Sequence, residues 1–319
     1  MSVKILIIRF SSIGDIVLTS PVIRCLKQQL EGEVQLHYLT KNSFKSILSA
    51  NPYLTKIIGI EKTVDEVIPE LIEEGYDYII DLHKNLRSRK VKRNLSGLYF
   101  TFDKLNWEKW LLVNFKINRM PHKHIVDRYL DAVKLFGIIN DNKGLDYFIS
   151  DEDEVDISLE LPSDYHGDYV GFVIGGTYVT KKIPIDLVVN FCNKSKTPIL
   201  LLGGPEDKTA GDDIVSKVTF GQVFNVCGKF SINQSASLVK QAKQIVSGDT
   251  GLMHVAAAFK KDIISVWGNT VPQFGMYPYL AGENSIIIEN KDLNCRPCSK
   301  LGFDKCPKKH FKCMNQLEL

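Results

Sequence analysis

The sequence predicts an α/β fold of two domains, each with a parallel β-sheet that carries helices on both faces. The chain has 319 residues, which is more than one hydrophobic core usually supports. Short apolar runs alternate with stretches of helical periodicity, and this alternation begins again near residue 169. Repeated strand–helix units favour parallel strands joined by helical crossovers, so two such sheets are expected.

The first strand is predicted at residues 3–8, because an almost unbroken apolar run is typical of a strand buried on both faces. We interpret this run as a strand and not as an export signal, since Arg9 interrupts it and no small-residue cleavage site follows. After a polar turn, residues 16–30 have helical spacing, and Pro21 indicates a kink or a late helix start.

The remaining elements repeat this pattern. In the first half, strands are expected at 34–39, 56–60 and 76–81, and an amphipathic helix at 126–136. In the second half, strands are expected at 169–174, 198–202, 222–226, 244–247 and 262–267, with helices at 185–193 and 234–242. The predicted division is a first domain at 1–150, a polar linker at 151–168, a second domain at 169–290 and a cysteine-rich tail at 291–319.

The composition is that of a soluble globular protein, with 44% hydrophobic and 24% charged residues. No stretch is long and apolar enough to predict a membrane span. The net charge of +3 is too small to favour general nucleic-acid binding. Without an export signal we expect a cytoplasmic protein, in a compartment that disfavours disulfides.

Four loops of the second domain follow predicted strands, at the sheet edge where such folds bind ligands. Their small residues allow the close backbone approach that a nucleotide diphosphate needs. The loops are Gly175-Gly176-Thr177, Gly203-Gly204-Pro205-Glu206, Asp249-Thr250-Gly251 and Gly268-Asn269-Thr270.

The third of these loops leads from a strand into a helix, whose free N–H groups and dipole suit a phosphate. We expect Asp249 to act as the N-cap that orders the turn, because a carboxylate would repel the phosphate. Thr250 and the amide of Gly251 would then face the ligand. His254 lies one turn further on, either beside the diphosphate or as a buried core histidine.

Two other side chains are candidates for nucleotide contacts. Lys181 could reach a phosphate as a point charge, or be a solvated lysine, and the adjacent Lys182 competes for the role. Glu206 could accept hydrogen bonds from ribose hydroxyls, or be a favourable acid in the first turn of a helix.

In the first domain, Asp15 follows the first strand and could act as a general base toward a hydroxyl group. The alternative is an ordinary first-turn acid. The basic run at residues 84–93 begins at the end of another strand, so it either contacts an anionic substrate or forms a solvated helix face.

Four of the seven cysteines, Cys295, Cys298, Cys306 and Cys313, crowd the tail with Cys-x2-Cys-x7-Cys-x6-Cys spacing. This pattern allows a structural zinc site, although it lacks the second Cys-x2-Cys of a zinc ribbon. Free thiols, or a disulfide formed on oxidation, are the alternatives.

Two motifs of the chain resemble those of glycosyltransferase family 9, the lipopolysaccharide heptosyltransferases. The opening, residues 5–21, is similar to the start of the family, and residues 246–258 are similar to its donor-binding motif. Weaker matches follow in the same order along nearly the whole chain, at residues 81–88, 181–184, 202–207 and 267–270.

The resemblance implies a GT-B architecture, with two Rossmann-like domains that face each other across a cleft. It implies that the N-terminal domain binds the acceptor, with Asp15 as catalytic base, and that the C-terminal domain binds the nucleotide sugar. The donor-binding residues would be Thr177, Lys181, Glu206, Asp249, Thr250, Gly251 and His254. The acceptor-binding residues would be Ser11, Ser12, Gly14, Lys84, Arg87 and Arg89.

The function implied is an inverting transfer of a sugar, with ADP-heptose as the leading donor and a lipopolysaccharide core or related anionic glycolipid as the acceptor. No metal cofactor is expected in catalysis. The acceptor places the enzyme at the inner face of the cytoplasmic membrane, and aromatic and basic residues between 84 and 123 could meet lipid headgroups. The alternatives are a relative that uses another nucleotide sugar and a non-catalytic nucleotide-sugar-binding protein.

Overall fold

The apolar runs of the sequence form parallel strands in the structure, a computed structural model that describes residues 2–319. The chain divides into two units. Unit 1 contains residues up to 104 and 123–150, and unit 2 contains residues 105–122 and 151–319.

Unit 1 is built around a five-stranded parallel sheet with strand order β3-β2-β1-β4-β5. Its central strands are buried, as their apolar sequences predict. The strands are β1 (Val3–Ile8), β2 (Val34–Lys41), β3 (Lys56–Ile60), β4 (Tyr78–Asp81) and β5 (Leu98–Thr101). The helices are α1 (Ile13–Val17), α2 (Ser20–Gln29), α3 (Ile68–Glu74), α4 (Leu86–Asn94) and α6 (Ile125–Asp131).

Unit 2 is built around a six-stranded parallel sheet with strand order β11-β10-β9-β6-β7-β8. The strands are β6 (Val170–Val173), β7 (Ile199–Leu202), β8 (Val223–Asn225), β9 (Gln244–Gly248), β10 (Asp262–Trp267) and β11 (Ile286–Glu289). The helices are α5 (Asn106–Phe115), α7 (Ile157–Glu160), α8 (Ile185–Lys194), α9 (Lys208–Lys217), α10 (Ile232–Gln241), α11 (Gly251–Ala258) and α12 (Lys312–Asn315).

These two sheets confirm the predicted α/β class with a parallel sheet in each half. The helix predicted at residues 16–30 is divided into α1 and α2, and Pro21 lies in the first turn of α2, where its missing N–H costs nothing. The helix predicted at 126–136 ends at Asp131, and a 3-10 turn, Lys134–Phe136, follows it.

Two segments pack differently from the division expected from the sequence. Residues 105–122, expected in the first domain, belong to unit 2, where Leu112 packs against Phe274 in one apolar cluster. Residues 151–168, expected as a linker, are folded onto α10, where Ser237 Oγ accepts a hydrogen bond from the Val155 N–H at 2.9 Å. Polar composition marked the second segment as a linker, but its carboxylates are used in contacts with that helix, such as Glu154 with Lys240.

Candidate functional site

In unit 1, the carboxylate of Asp15 is held beside the end of β1. The Arg9 guanidinium lies 2.7 Å from one carboxylate oxygen, and the Ser12 hydroxyl donates to the other at 2.8 Å. The Ser12 N–H also points to the carboxylate, at 3.3 Å, so Asp15 has the position of a first-turn acid as well. Its side chain is 22% exposed, which leaves part of the carboxylate open to another molecule.

Arg9 is fixed by partners from three other segments. It donates to the main-chain oxygens of Ser11 and Leu82, both at 2.7 Å, and to the Tyr129 hydroxyl at 3.0 Å. Burial alone would lower the pKa of Arg9. The nearby Asp15 carboxylate and the tyrosine hydroxyls raise it by more than burial lowers it, so the pKa lies above its ordinary value. The guanidinium is therefore a permanent positive charge that holds the anionic form of Asp15 in place.

His83 follows β4 and packs edge-on against Phe10, with ring centroids 5.2 Å apart. The proximity follows from the sheet, since Ile8 of β1 pairs with Asp81 of β4. Burial, and then the charges of Arg9 and Lys104, lower the pKa of His83 to about 4. Its Nδ1 is buried and has no hydrogen-bond partner within residues 2–319. A pKa of about 4 makes the ring neutral near pH 7.

The basic run of unit 1 divides between internal contacts and solvent. Lys84 donates to the Phe102 carbonyl at 3.0 Å, and the Lys92 ammonium lies 2.8 Å from the buried Asp81 carboxylate. Arg87 and Arg89 lie on α4 and are exposed. The three arginines of the run, Arg87, Arg89 and Arg93, therefore combine full charge with open access for an anionic ligand.

In unit 2, Asp249 pairs with Lys181, with 2.6 Å between carboxylate oxygen and ammonium nitrogen. The same oxygen accepts a hydrogen bond from the Thr270 hydroxyl at 3.1 Å. The N-cap position of α11 is occupied by Thr250, so the expectation that Asp249 caps this helix is wrong. The carboxylate instead contacts Lys181, in the 3-10 turn Val179–Lys181, and Thr270, in the loop after β10.

The turn after β9 leaves the start of α11 accessible. Thr250 is partly exposed and its hydroxyl contacts that of Ser247 at 2.9 Å, while Gly251 is the first residue of the helix. His254 is 2% exposed and lies within one turn of Gly251. The main-chain N–H groups of this first turn have no partner inside the helix, which suits an anion.

Gly248 allows β9 to approach the main chain of Lys181. A Cβ atom on Gly248 would lie 2.5 Å from the Lys181 carbonyl oxygen, which is closer than real Cβ atoms come to any neighbour. The absence of a side chain at this position therefore sets the distance between the end of β9 and the segment that carries Lys181.

Lys182 has a different partner from its neighbour. Its ammonium pairs with Asp207, which is 2% exposed and also accepts a hydrogen bond from the Gly204 N–H at 3.0 Å. Cβ atoms on Gly175 and Gly203 would lie 2.6 Å and 2.9 Å from atoms of the Asp207 side chain. These two glycines of the predicted ligand loops thus make room for a buried carboxylate of the protein itself.

The other predicted donor contacts lie on the surface of unit 2. Glu206 is exposed in the 3-10 turn Pro205–Asp207, directly after β7, and Thr177 is exposed after β6. Both side chains are open to a ligand at the carboxyl ends of adjacent strands, as the sequence predicts for such loops.

Asn269 lies in the loop after β10 and is 2% exposed. Neither polar atom of its carboxamide has a hydrogen-bond partner within residues 2–319. Buried amides are normally paired, so this group retains the capacity to donate to and accept from another molecule.

Arg296 of the tail holds the same loop in place. It is 8% exposed and donates to the main-chain oxygens of Trp267, Gly268 and Thr270. Its guanidinium also lies 3.0 Å from the Glu289 carboxylate, which is 5% exposed. The tail therefore supports the end of β10 through a buried arginine.

The tail cysteines are free thiols. Cys298 Sγ donates to the Cys295 carbonyl at 3.0 Å, and burial raises the pKa of Cys298 and of Cys313 to about 11. Among residues 2–319, no group of three or more histidine, cysteine, aspartate or glutamate side chains is arranged to hold a metal ion. The expected structural zinc at Cys295, Cys298, Cys306 and Cys313 is therefore not supported.

Sequence reasoning missed several polar residues that organise these sites. They are Arg9, His83, Asp207 and Arg296. The only signal in the sequence was a charge at the end of an apolar strand, as in Arg9. For the others the partner is far away in the chain, so no local pattern indicates the pairing.

Within the described range 2–319, every helix is too short or too polar to cross a membrane.

The chain is similar in sequence to proteins of known family. The family model described as glycosyltransferase family 9 (heptosyltransferase) matches residues 65–307. Lipopolysaccharide heptosyltransferase 1 of Campylobacter coli is 24% identical over 289 residues, covering 84% of this chain and 84% of that protein.

Two solved structures are similar in fold. The crystal structure of the glycosyl transferase family 9 from Veillonella parvula has a TM-score of 0.77 at 21% identity, covering 91% of this chain and 88% of that one. The E. coli heptosyltransferase WaaC with ADP has a TM-score of 0.67 at 23% identity, covering 89% and 92%. The chain therefore belongs to glycosyltransferase family 9, and it is a glycosyltransferase with the GT-B fold.

Proposed function

We propose that the protein is an inverting glycosyltransferase that transfers heptose from ADP-heptose to a lipopolysaccharide core or a related anionic glycolipid. The relatives named above support the donor and the acceptor pathway, since they are a lipopolysaccharide heptosyltransferase and a heptosyltransferase with bound ADP. The observation that carries the reaction type is the Asp15 carboxylate, partly exposed and held between Arg9 and Ser12.

In this proposal Asp15 is the general base. The guanidinium of Arg9 stabilises the carboxylate anion, the form that accepts a proton, and Ser12 fixes its orientation. The acceptor hydroxyl gives its proton to Asp15 while its oxygen forms a bond to the anomeric carbon of the donor. The bond from that carbon to the diphosphate breaks, and the nucleoside diphosphate leaves with the electron pair. One such displacement inverts the anomeric centre.

The departing diphosphate gains negative charge, which unit 2 is suited to stabilise. The first turn of α11 offers N–H groups at Thr250 and Gly251, and Lys181 supplies a positive charge. His254 adds a hydrogen bond to a diphosphate oxygen, and Asp249 positions Lys181. Because these groups carry the charge stabilisation, the proposal requires no catalytic metal ion.

The remaining donor contacts concern the nucleoside and the sugar. Glu206 is an exposed carboxylate suited to the ribose hydroxyls, and Thr177 offers a hydroxyl at the neighbouring strand end. The unpaired carboxamide of Asn269 is a further donor and acceptor for the sugar or the diphosphate.

The acceptor is anionic in this proposal. Arg87 and Arg89 are exposed on α4 and can form paired hydrogen bonds with phosphate or carboxylate groups. Ser11, Ser12 and Gly14 line the turn that carries Asp15, and Lys84 follows the adjacent strand. A glycolipid acceptor places the reaction at the inner face of the cytoplasmic membrane.

Substitution of Asp15 tests the proposed mechanism. Asp15→Asn keeps the size of the side chain and removes the base, so transfer should fall at least about 100-fold, while binding of ADP to unit 2 stays within twofold of the wild type. Asp65→Asn, which removes an exposed carboxylate of unit 1, is the matched control and should leave both unchanged. Transfer is measured as release of nucleoside diphosphate. Full activity of Asp15→Asn would disprove the role of Asp15.

The donor is identified by thermal-shift titration of the whole chain with ADP, UDP, GDP and their sugars. ADP and ADP-heptose should raise the melting temperature most. A larger rise in melting temperature with UDP or GDP sugars would contradict ADP-heptose as the donor and indicate transfer of another sugar. Binding without release of product from any donor–acceptor pair would instead favour a non-catalytic binding protein.

A further inference from the structure

Helix α5 is attached to unit 2 by one face only. Leu112, with Leu105 before the helix and Met120 after it, packs against Val271 and Phe274. At the end of the helix, the Lys116 ammonium donates to the Pro297 carbonyl at 2.7 Å. The helix is thus fixed to the loop after β10 and to the tail, and its other face is left free.

The free face of α5 carries large aromatic side chains. Trp107 and Trp110, three residues apart, are 62% and 46% exposed and stack with ring centroids 5.0 Å apart. Phe115 is 58% exposed and contacts Trp110 edge-on. Neither indole N–H donates a hydrogen bond within residues 2–319. A stacked, exposed tryptophan pair is unusual on a soluble surface and marks an interaction site.

The tail completes a groove beside this face. Residues from α5 and from the segment 298–303 enclose about 760 Å³, with Trp107, Trp110, Val113 and Phe303 as its apolar walls. Lys109 and Lys300 lie in the same lining. The groove is therefore apolar at its centre and positively charged at its margin.

The charge continues along the tail. Residues 300–312 contain five lysines and one aspartate. The side chains of Lys300, Lys305, Lys308 and Lys309 are exposed and form no ion pair within the described residues 2–319. Four unpaired lysines beside an aromatic groove give this surface charge complementarity to an anionic partner.

We propose that this surface, formed by α5 and residues 298–312, docks onto a bilayer that contains anionic phospholipid. Tryptophan prefers the headgroup level, where its ring is desolvated and its N–H meets a polar group. Lysines near an anionic surface add an attraction that decays with salt. This surface of α5 and residues 298–312 thus orients unit 2 at the bilayer, independently of whether the proposed transfer reaction is correct.

The intrinsic fluorescence of the whole chain provides the test. The chain has three tryptophans, and the third, Trp267, is only 1% exposed. Vesicles of phosphatidylcholine with phosphatidylglycerol should shift the emission to shorter wavelength, and brominated phospholipid in them should quench it. Vesicles of phosphatidylcholine alone should do much less. No quenching, or equal quenching by both compositions, would overturn the proposal.

Two pairs of variants locate the contact. Trp107→Ser/Trp110→Ser should lower co-sedimentation with the anionic vesicles about tenfold or more, whereas Phe220→Ser, at a side chain 87% exposed on the same unit, should not. Lys308→Gln/Lys309→Gln should weaken binding and its salt dependence, and Lys194→Gln/Lys196→Gln, also exposed in unit 2, is the matched control. If the tryptophan variant misfolds by circular dichroism, wild-type quenching still decides the outcome. An equal loss of vesicle binding in the variants and their controls would refute the proposal that this surface docks onto lipid. Binding of this surface to another protein, without binding to vesicles, would also refute it.

Discussion

The ammonium of Lys181 lies 2.6 Å from the carboxylate of Asp249, while that of the adjacent Lys182 pairs with Asp207. The two carboxylates differ in setting, because Asp207 is 2% exposed and Asp249 lies at the accessible start of α11. Two neighbouring lysines with the same chemistry therefore pair with different carboxylates, one at the proposed ligand site and one buried in the fold.

This division predicts opposite effects for the two lysines. Lys181→Met should weaken ADP binding about 10–100-fold, the usual value of a charged hydrogen bond, with little change in unfolding free energy. Lys182→Met should lower the unfolding free energy by about 3 kcal/mol, because it leaves a buried carboxylate without its cation. Isothermal titration and urea unfolding of both variants measure the two effects, and the reverse assignment would contradict the interpretation.

Gly248 is predicted to be essential for the geometry at Lys181. In Gly248→Ala the new methyl group would start 2.5 Å from the Lys181 carbonyl oxygen, so β9 and the lysine segment must separate. Both stability and ADP affinity should fall. Gly167→Ala is the control, since a Cβ atom at this position of unit 2 would have no neighbour within 4 Å. Crystal or solution data in which Gly248→Ala binds ADP normally would reject this explanation.

His83 should make the stability of the protein depend on pH. Its pKa is lowered to about 4 in the folded chain, below the ordinary value of 6.5, by burial and by Arg9 and Lys104. Between pH 6.5 and 4 the unfolded chain binds the extra proton, so the unfolding free energy falls as the pH falls. The loss amounts to about 2–3 kcal/mol and is complete near pH 4.

His83→Gln should remove this part of the pH dependence. Urea unfolding at several pH values between 4 and 7 compares the variant with the wild type, and His122→Gln, at an exposed histidine, controls for loss of an imidazole. If His83→Gln keeps the full slope, the dependence arises elsewhere.

Arg296 is expected to couple the tail to the loop after β10. Arg296→Met removes hydrogen bonds to four main-chain oxygens and leaves Glu289, 5% exposed, without its cation. The unfolding free energy should fall by about 3–5 kcal/mol. Hydrogen exchange should also rise at Gly268–Thr270, where the lost partners lie. Lys291→Met, at an exposed position before the same segment, is the control. Unchanged exchange at the loop would show that Arg296 is dispensable there.

Much of the architecture follows from local patterns in the sequence. The apolar run at residues 3–8 predicts a strand, because a strand buried on both faces needs apolar side chains throughout. Gly203 and Gly248 mark the ends of two other strands, because glycine allows the main chain to approach a neighbouring segment closely. Asp15 could be singled out because it lies in the first helical turn after the first strand, but its role as a base was expected only from the resemblance to the family. The N-cap of α11 was misassigned because a threonine and an aspartate are adjacent and both can cap a helix.

The sequence by itself determined the alternation of strands and helices, the two parallel sheets and the loops at the ends of their strands, because these depend on residues close together in the chain. Only the tertiary structure decided that Arg9 holds Asp15, that Lys181 and Lys182 take different carboxylates, and that residues 105–122 pack in unit 2. Such pairings join residues that are far apart in the chain and that meet only when the strands and helices pack. Which of two similar lysines pairs with which carboxylate depends on where packing places each carboxylate.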